Sequence, residues 1–139
     1  MTVAGALAGS IDEGMVILVG IEPADTAEDV ERAVEKLAGL RIFPDERGLM
    51  NRSILDIGGS ALVVSQFTLL GDVRRGRRPS FTGAAGPDVA QPLVDQLVAS
   101  MRAAGVTIET GVFGALMEVE LVNDGPVTIV FDVTGASVQ

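Results

Sequence analysis

A chain of 139 residues, of which 47% are hydrophobic, can bury one core and is too short for two ordinary domains, so we expect a single domain over residues 1–139. It contains neither Cys nor His, which excludes disulfides, thiolate nucleophiles and every catalytic arrangement built on a histidine base, and we expect neither a metal ion nor a cofactor. The net charge of −9 argues against broad, sequence-blind binding to nucleic acid, and the lack of a long apolar run or a basic leader predicts a cytoplasmic protein without membrane spans.

The first third of the chain predicts a strand followed by a helix. Residues 15–20 form a short apolar run of β-branched character, which suits a strand buried on both faces. Asp25 and Glu28 resemble a capping box at the start of a helix that Gly39 would end. The apolar residues of this helix recur at helical spacing: Val30, Ala33, Val34, Leu37 and Leu40.

The middle of the chain predicts a brief strand and then a central one. Residues 41–43 form the brief strand and precede a turn at residues 44–48, while the glycine pair at 58–59 marks the next break. Residues 61–70 begin as an apolar run and end in hydroxyl and amide side chains. This pattern is typical of a central strand whose end is exposed and available for a site.

The polar end of that strand is a candidate site. Alternation along a strand would put Ser65 and Phe67 on one face and Gln66 and Thr68 on the other. With no His in the chain, and with the sole Lys, Lys36, in a predicted helix, neither hydroxyl has an ordinary base to take its proton. From residue types alone, polar side chains that merely end an edge strand are the simpler interpretation.

Four of the ten basic residues fall in one short stretch, and hydroxyl residues follow it. The basic residues are Arg74, Arg75, Arg77 and Arg78. Together with Pro79, Ser80, Phe81 and Thr82 they form a mixture able to hold phosphate or ribose. The alternative, a solvated basic surface loop, is the interpretation that this run favours when taken by itself.

The last third predicts a second helix and three strands. The helix spans residues 88–104, with Pro92 expected in its first turn and Gly105 as its stop. The strands follow at residues 106–109, 116–122 and 127–133. The last two are joined by residues 123–126, which predicts a hairpin. Strands before, between and after two helices indicate a mixed α/β domain with the helices on one face of the sheet.

Two features of this last third bear on chemistry. Residues 123–125 are an ordinary turn signal, but a bond from Gly125 to Pro126 adopts the cis form at a cost of only about 0.5–1 kcal/mol. Carbonyls fixed in that way are able to recognise an ammonium group. Glu118 and Glu120 alternate with apolar residues, so the solvent face of a strand is the simpler interpretation than a catalytic carboxylate pair.

Taken together, three of these segments resemble the D-aminoacyl-tRNA deacylase family. SQFTL at 65–69, RRPSF at 77–81 and LVNDGPVT at 121–128 occur in the order and spacing of that family, and jointly they are highly specific. Further matching runs extend the resemblance over nearly the whole chain: LRIF at 40–43, MNRS at 50–53, LDIGG at 55–59 and ETGVFG at 109–114.

The resemblance implies a homodimer of three-layer β/β/α subunits that hydrolyses the ester bond of D-aminoacyl-tRNA. Each active site would be completed by the neighbour's loop at Gly125 and Pro126, whose bond is cis in the family. The two carbonyls of that loop face the amino group of the esterified amino acid and leave no room for an L side chain. Glycine has no side chain to exclude, so glycyl-tRNA mischarged on alanine tRNA is also an expected substrate.

The same resemblance implies roles for individual residues. The floor of the catalytic pocket is formed by Ser65, Gln66, Phe67 and Thr68. Substrate contacts are expected from Gly125, Pro126, Thr128, Ser80 and Phe81, with Phe113 and Met117 at the positions that receive the terminal adenosine. Contacts to tRNA are expected from Arg74, Arg75, Arg77 and Arg78.

Catalysis in this family resembles a substrate-assisted reaction, which removes the need for a histidine. The ribose hydroxyl of the tRNA activates the attack, and backbone N–H groups stabilise the oxyanion. Thr68 is the natural nucleophile by residue type, but without a base it is expected to position the substrate rather than attack it.

One departure from the family concerns the start of the chain. Members of the family carry a further strand before the segment matching residues 2–5, with an Arg that contacts the Gly-Pro loop. Its absence would leave a sheet edge uncovered and the loop without that anchor. We expect a start site further upstream in preference to a natural truncation.

Two other functions stay open from the sequence. A non-catalytic RNA-binding or dimerisation module would keep recognition without turnover. A general small-molecule esterase is disfavoured, because the chain offers no base for an activated Ser.

Overall fold

The computed structural model describes residues 1–135 and 137–139. Its strands are β1 (Thr2–Val3), β2 (Ala6–Leu7), β3 (Gly14–Val19), β4 (Phe43–Pro44), β5 (Met50–Arg52), β6 (Ser60–Ser65), β7 (Thr107–Thr110), β8 (Met117–Glu118), β9 (Val133–Thr134) and β10 (Ser137–Val138). Its helices are α1 (Ala27–Gly39), α2 (Ile54–Ile57) and α3 (Pro87–Ala103), with a 3₁₀ helix at Phe67–Leu70. Among these residues, none of the helices combines the length and the apolar character needed to cross a membrane.

A parallel sheet in the order β3, β6 and β7 forms the middle layer. In the central strand β6, Ala61 and Val63 belong to the core on the helix side, and Leu62 and Val64 to the core on the other side. Burial on both faces explains why this stretch is apolar without alternation. β3 lies at the edge, and its Leu18 is 47% exposed, so the prediction that this strand is buried on both faces is wrong.

The two long helices cover one face of the parallel sheet, as the sequence predicted. Val34 and Leu37 of α1 pack with Leu97 and Met101 of α3 in the main hydrophobic core. Met101 is fully buried, so the helix layer is held to the sheet mainly by apolar packing.

α1 begins one residue later than the sequence predicted. Its N-cap is Thr26, whose hydroxyl accepts from the N–H of Asp29 at 3.3 Å, while the Asp29 carboxylate accepts from the N–H of Thr26 at 2.9 Å. Asp25 instead accepts from the N–H of Glu22. The pair Asp25 and Glu28 has the same spacing as Thr26 and Asp29, so spacing alone could not separate the two caps.

A small antiparallel sheet in the order β2, β1 and β8 covers the opposite face. Met1, Leu62 and Val64 form the core beneath it, with Met117 and Val119 packed at its margin. The chain therefore has the three-layer β/β/α architecture that the resemblance implied.

α3 follows the predicted helix closely but treats its prolines differently. It begins at Pro87 and continues through Pro92, which lies beyond the first turn, so the expected position of Pro92 is wrong. The helix persists because its apolar face is buried on both sides of the missing N–H, at Ala90 before Pro92 and at Val94 after it. Gly105, at a φ of 101°, follows the helix end as predicted.

Residues 43–59 hold elements that the sequence patterns only partly revealed. The brief strand is β4 at Phe43–Pro44, and it pairs antiparallel with β5, which was not predicted. α2 was also missed, although Ser53 and Asp56 form a capping box at its start and Gly58 ends it at a φ of 62°. A helix this short has too few apolar repeats to produce a periodic signal.

The predicted C-terminal hairpin is wrong. Within the predicted strand 116–122 only β8 pairs, and its partner is β1. Residues 127–132 belong to no ladder in the described structure, and β9 pairs instead with β10. Met117, Val119 and Phe131 pack at the margins of the two cores, whereas Leu121, Val122, Ile129 and Val130 stay in solvent because one chain offers no second layer to bury them.

Candidate active site

The end of β6 leads directly into the 3₁₀ helix, in a segment that we term the strand-end turn (residues 66–71). The N–H of Gln66 still donates to the carbonyl of Val19 at 2.7 Å, which extends the pairing with β3 by one residue. The predicted strand to residue 70 is therefore too long, because β6 ends at Ser65. The prediction that Ser65 and Phe67 lie on one face of a strand is also wrong, since Phe67 belongs to the 3₁₀ helix.

The absence of a side chain at Gly20 lets the strand-end turn pack closely against the end of β3. A Cβ at Gly20 would lie 3.3 Å from the Cβ of Leu69 and 3.4 Å from the carbonyl oxygen of Gln66, and it would overlap the side chain of Leu70. In the sequence, Gly20 is recognisable only as the end of the apolar run at residues 15–20. Its signal is a glycine at a strand end, where another backbone segment approaches closely.

The strand-end turn exposes the groups that the sequence selected. Phe67 is 55% exposed, and Thr68 is exposed beside it. The side-chain amide of Gln66 donates to the Thr68 hydroxyl, which fixes that oxygen as an acceptor. The N–H groups of Phe67 and Thr68 open the 3₁₀ helix and have no acceptor among the residues that the structure describes. Two donors and a hydroxyl therefore face solvent within one short turn.

The four arginines lie in a hairpin-like segment that we term the arginine loop (residues 73–79). It is closed at its base by Asp72 and Ser80, whose backbone groups exchange hydrogen bonds of 2.7 and 2.9 Å. Asp72 also holds Arg74 through contacts of 2.9 Å to Nε and 2.7 Å to a terminal nitrogen. Hydrogen bonds from the Arg74 side chain, and next from its N–H, hold the pKa of Asp72 below its ordinary value.

The other three arginines differ from Arg74. Arg75, Arg77 and Arg78 are exposed, and no carboxylate lies within ion-pair distance of them in the part of the chain that the structure describes. An open hollow of about 500 Å³ lies against the loop, lined by Asp72, Arg74, Arg75 and Ser80. The arginine loop therefore offers cations to an anionic ligand despite the acidic charge of the whole chain.

Phe81 connects the arginine loop to the strand-end turn. Its ring meets the ring of Phe67 edge to face, with centroids 5.2 Å apart and planes at 77°. A Cβ at Gly71 would lie 3.0 Å from Cε1 of Phe81, so Gly71 leaves room for this ring. Ser80 and Phe81 thus lie near the predicted catalytic residues, with Phe81 packed against protein.

The two residues predicted to receive an adenosine belong to different cores. Phe113 is half-buried against the main core on the helix side, whereas Met117 packs with the core beneath the small sheet. A Cβ at Gly111 would lie 3.0 Å from Cε and Sδ of Met1 and would also press on the sulfur of Met117. Only part of each side chain is available to a ligand.

The loop at residues 123–126 protrudes from the body of the chain. Gly125 and Pro126 are exposed, their peptide bond is cis, and Gly125 has a φ of 145°. The Asn123 side chain accepts from the N–H of Val127 at 2.8 Å and donates to the Thr128 hydroxyl at 3.1 Å. No hydrogen bond of the described residues joins this loop to the strand-end turn.

The segments on either side of this loop are apolar and exposed. We term residues 119–131 the C-terminal arm. Its largest exposed side chains are Leu121 at 54%, Val122 at 91%, Ile129 at 52% and Val130 at 84%. Several large apolar residues side by side in solvent are typical of a surface that another protein covers.

Comparison with known proteins gives a consistent family. A family model described as D-Tyr-tRNA(Tyr) deacylase matches residues 1–132. A D-aminoacyl-tRNA deacylase of Chloroflexus aurantiacus is 59% identical over 132 residues, which cover 95% of this chain and 82% of that protein. One of Thermomicrobium roseum is 60% identical, with 95% and 86% covered.

Solved structures support the same fold. The c-Myc DNA Unwinding Element Binding Protein aligns with a TM-score of 0.86 and 37% identity, over 92% of this chain and 87% of that one. A probable eukaryotic D-amino acid tRNA deacylase aligns with a TM-score of 0.60 over 71% of this chain and 74% of that one. At 20% identity, the second likeness concerns the fold alone.

Proposed function

The chain belongs to the D-aminoacyl-tRNA deacylase family, a family of ester hydrolases, and we propose that it cleaves the ester between a D-amino acid and tRNA. Free tRNA and a free D-amino acid are the products, so the activity clears mischarged tRNA before translation uses it in the cytoplasm. The observation that carries the proposal is the strand-end turn, which presents two N–H donors and a hydroxyl in a chain without His or Cys.

The N–H groups of Phe67 and Thr68 act as the oxyanion hole. The ester carbonyl gains negative charge in the transition state, and donors already fixed by the backbone stabilise that charge without rearranging. The turn is rigid because the N–H of Gly71 donates back to the Thr68 carbonyl at 3.0 Å and because Gly20 lets the turn pack closely against the end of β3. Ser65 and Gln66 form the adjoining wall of the pocket.

The ribose hydroxyl beside the ester activates a water molecule, whose oxygen bonds to the ester carbonyl carbon. The bond from that carbon to the ribose oxygen then breaks, and the proton released by the water leaves on that oxygen with the free tRNA. No histidine exists in the chain, and the one hydrogen bond of the Thr68 side chain among the described residues is accepted from the Gln66 amide, which is not a base, so no group is placed to take the proton of Thr68. The ribose hydroxyl lies beside the scissile ester in the substrate itself. Binding of the tRNA therefore holds it in place, and a protein base at that position is not needed. Thr68 therefore positions the substrate.

The selection of D residues is assigned to the loop at Gly125 and Pro126 of a second copy. This loop is exposed and forms no hydrogen bond to the strand-end turn of its own chain among the described residues, while Val122 and Val130 of the C-terminal arm that carries it are exposed. A homodimer that buries the arm would bring each loop to the other subunit's strand-end turn. An L side chain would then collide with the loop, whereas D residues and glycine would fit.

Binding of the tRNA is assigned to the arginine loop and to two side chains nearer the core. Arg75, Arg77 and Arg78 contact phosphates, with Arg74 shared between the RNA and Asp72. Phe113 and Met117 contact the terminal adenosine through the exposed parts of their side chains, and Ser80 lies at the base of the arginine loop, between the two regions.

Deacylation of D-Tyr-tRNA, with L-Tyr-tRNA as the control, tests this function. We expect rapid release of D-Tyr and little release of L-Tyr. Thr68→Val is expected to keep most of the turnover. Loss of turnover in Thr68→Val at unchanged affinity for aminoacyl-tRNA would contradict the positioning role and favour a nucleophilic Thr68.

A second substrate tests the source of the reactive hydroxyl. D-Tyr-tRNA that lacks the ribose hydroxyl beside the ester is expected to bind and not to be hydrolysed. Hydrolysis of this analogue, or of D-Tyr ethyl ester, would revive the general esterase. The non-catalytic module predicts binding of D-Tyr-tRNA without turnover, and the family's identity as hydrolases disfavours it.

A further inference from the structure

The side chain of Asn123 closes the loop that contains Gly125 and Pro126. Its carbonyl oxygen accepts from the N–H of Val127 at 2.8 Å, and its amide nitrogen donates to the Thr128 hydroxyl at 3.1 Å. Asparagine in an ordinary turn bonds its own backbone about two residues on. Here it reaches four and five residues on, and it therefore encloses the whole loop rather than one turn.

These two hydrogen bonds are the ones that hold the loop within a single chain. For residues 119–131, as the structure describes them, no other hydrogen bond is formed and no strand ladder flanks the loop. The nearby Leu121, Val122, Ile129 and Val130 are exposed, so apolar packing at these positions does not fix the loop. The direction of the carbonyls of Gly125 and Pro126 in the free chain thus depends on Asn123.

We propose that Asn123 and Thr128 are positioning residues for chiral selection, acting through the loop at Gly125 and Pro126. The inference rests on the proposed function of that loop. Exclusion of an L side chain is a steric effect, and it works only if the excluding atoms do not move aside. The Asn123 and Thr128 hydrogen bonds keep them in place, so Thr128 braces the loop rather than contacting the substrate.

The test compares variants by the ratio of kcat/KM on D-Tyr-tRNA to kcat/KM on L-Tyr-tRNA. Asn123→Ala removes both hydrogen bonds and is expected to lower this ratio about tenfold, mainly by admitting the L substrate. Thr128→Val removes one and is expected to lower it about threefold, whereas Thr128→Ser keeps the hydroxyl and the ratio.

Asp124→Ala provides the matched control. Asp124 lies in the same loop, has a side chain of the same size as Asn123 and forms no hydrogen bond or ion pair among the described residues. Its truncation is expected to leave the ratio unchanged. A merely structural role of Asn123 would lower kcat/KM for both substrates together and leave the ratio intact.

The outcomes separate this inference from the function on which it rests. An unchanged ratio in Asn123→Ala, or an equal fall in Asp124→Ala, would overturn the inference while the wild-type ratio still supports the loop's role. A wild-type chain that hydrolyses both substrates equally would overturn both. If Asn123→Ala fails to fold, the contrast between Thr128→Val and Thr128→Ser decides the matter.

Discussion

The strand-end turn and the C-terminal arm carry the two halves of the proposed site, and they are held in opposite ways. The turn follows a strand whose Val63 and Val64 are 2% exposed, and it rests on β3 through Gly20. The arm leaves the body after β8, and its Val122 is 91% exposed. One half of the site is therefore built by the folding of one chain, whereas the other lacks the layer that would fix it.

The difference matters because the two halves do different chemistry. Stabilising an oxyanion needs donors fixed to a fraction of an ångström, which a buried strand provides. Rejecting an enantiomer needs a wall that faces the substrate from outside, and a second copy is able to supply one. In the proposed mechanism, ester cleavage is therefore a property of the single fold, and chiral selection is a property of the dimer.

Gly20→Val tests the first half and is expected to have the largest effect. The added side chain would meet Leu69 and Leu70 and lift the strand-end turn off β3. We expect kcat/KM on D-Tyr-tRNA to fall about a hundredfold, since small displacements of a catalytic group have effects of that size.

Gly39→Ala is the control for this substitution. Gly39 ends α1 and has open space around its Cβ position, so alanine is expected to be neutral or slightly stabilising there. Near-normal turnover in Gly20→Val would show that the strand-end turn does not depend on its close packing against Gly20. Steady-state kinetics together with thermal unfolding measure both effects.

Val122→Asp tests the second half. In the free chain Val122 already lies in solvent, so the folding of one chain is expected to be little affected. In a dimer that buries the arm, an unpaired carboxylate would be costly, and we expect dissociation into monomers with about tenfold lower activity.

Leu7→Asp is the matched substitution, because Leu7 is 71% exposed and lies away from the arm in β2. Sedimentation equilibrium of both variants measures the oligomeric state. A dimer that survives Val122→Asp, or an equal loss of dimer in Leu7→Asp, would argue against the arm as the interface.

Substitutions in the arginine loop are expected to have a smaller effect. They test tRNA binding separately from the strand-end turn and the C-terminal arm. Arg77→Gln removes a cation without a carboxylate partner, so the slope of log affinity for tRNA against log salt is expected to shrink by about 0.7–0.9. Arg74→Gln removes a cation that Asp72 already holds and is expected to change the slope less. Equal changes in the two variants would show that the contact between Asp72 and Arg74 does not limit Arg74.

The sequence predicted the elements that one chain buries better than the segments that one chain leaves exposed. Val30, Val34 and Leu37 repeat at helical spacing because they are buried in one chain, and α1 lies where that pattern put it. The motif at residues 65–69 marked the strand-end turn as a candidate site through its resemblance to the family. Strand alternation gave the wrong geometry for it, because the close packing of the turn against Gly20 is a tertiary contact.

The arm shows why the rest was missed. Residues 116–122 and 127–133 have the apolar composition of strands, but composition does not say whether the partner of a strand lies in the same chain. The roles of Asn123 and Thr128 depend on a contact between two side chains five residues apart, which a motif records only as neighbouring letters.

The smallest expected effect is a pH dependence of stability that arises in the helix layer alone. Glu31 of α1 accepts from the hydroxyl of Ser100 at 2.7 Å and from the amide of Gln96 at 2.8 Å, and these hydrogen bonds, Ser100 first, lower its pKa below 4.5. A lowered pKa in the folded state means that the charged form adds stability above the unfolded value, and that this stability is lost as pH falls through the folded value.

Glu31→Gln is therefore expected to unfold at a slightly lower temperature than the wild type at pH 7, with the difference vanishing as pH falls through the lowered pKa of the Glu31 carboxyl. Glu35→Gln removes a carboxylate from the same helix that forms no hydrogen bond or ion pair within the described residues, and is expected to show no such convergence. Because α1 and α3 cover the sheet face opposite the layer that leads into the arm, Glu31→Gln should leave the ratio of D to L hydrolysis unchanged at every pH where the chain is folded. A shift in that ratio would mean that the helix layer and the arm are coupled, and the contrast between the two regions would then be incomplete.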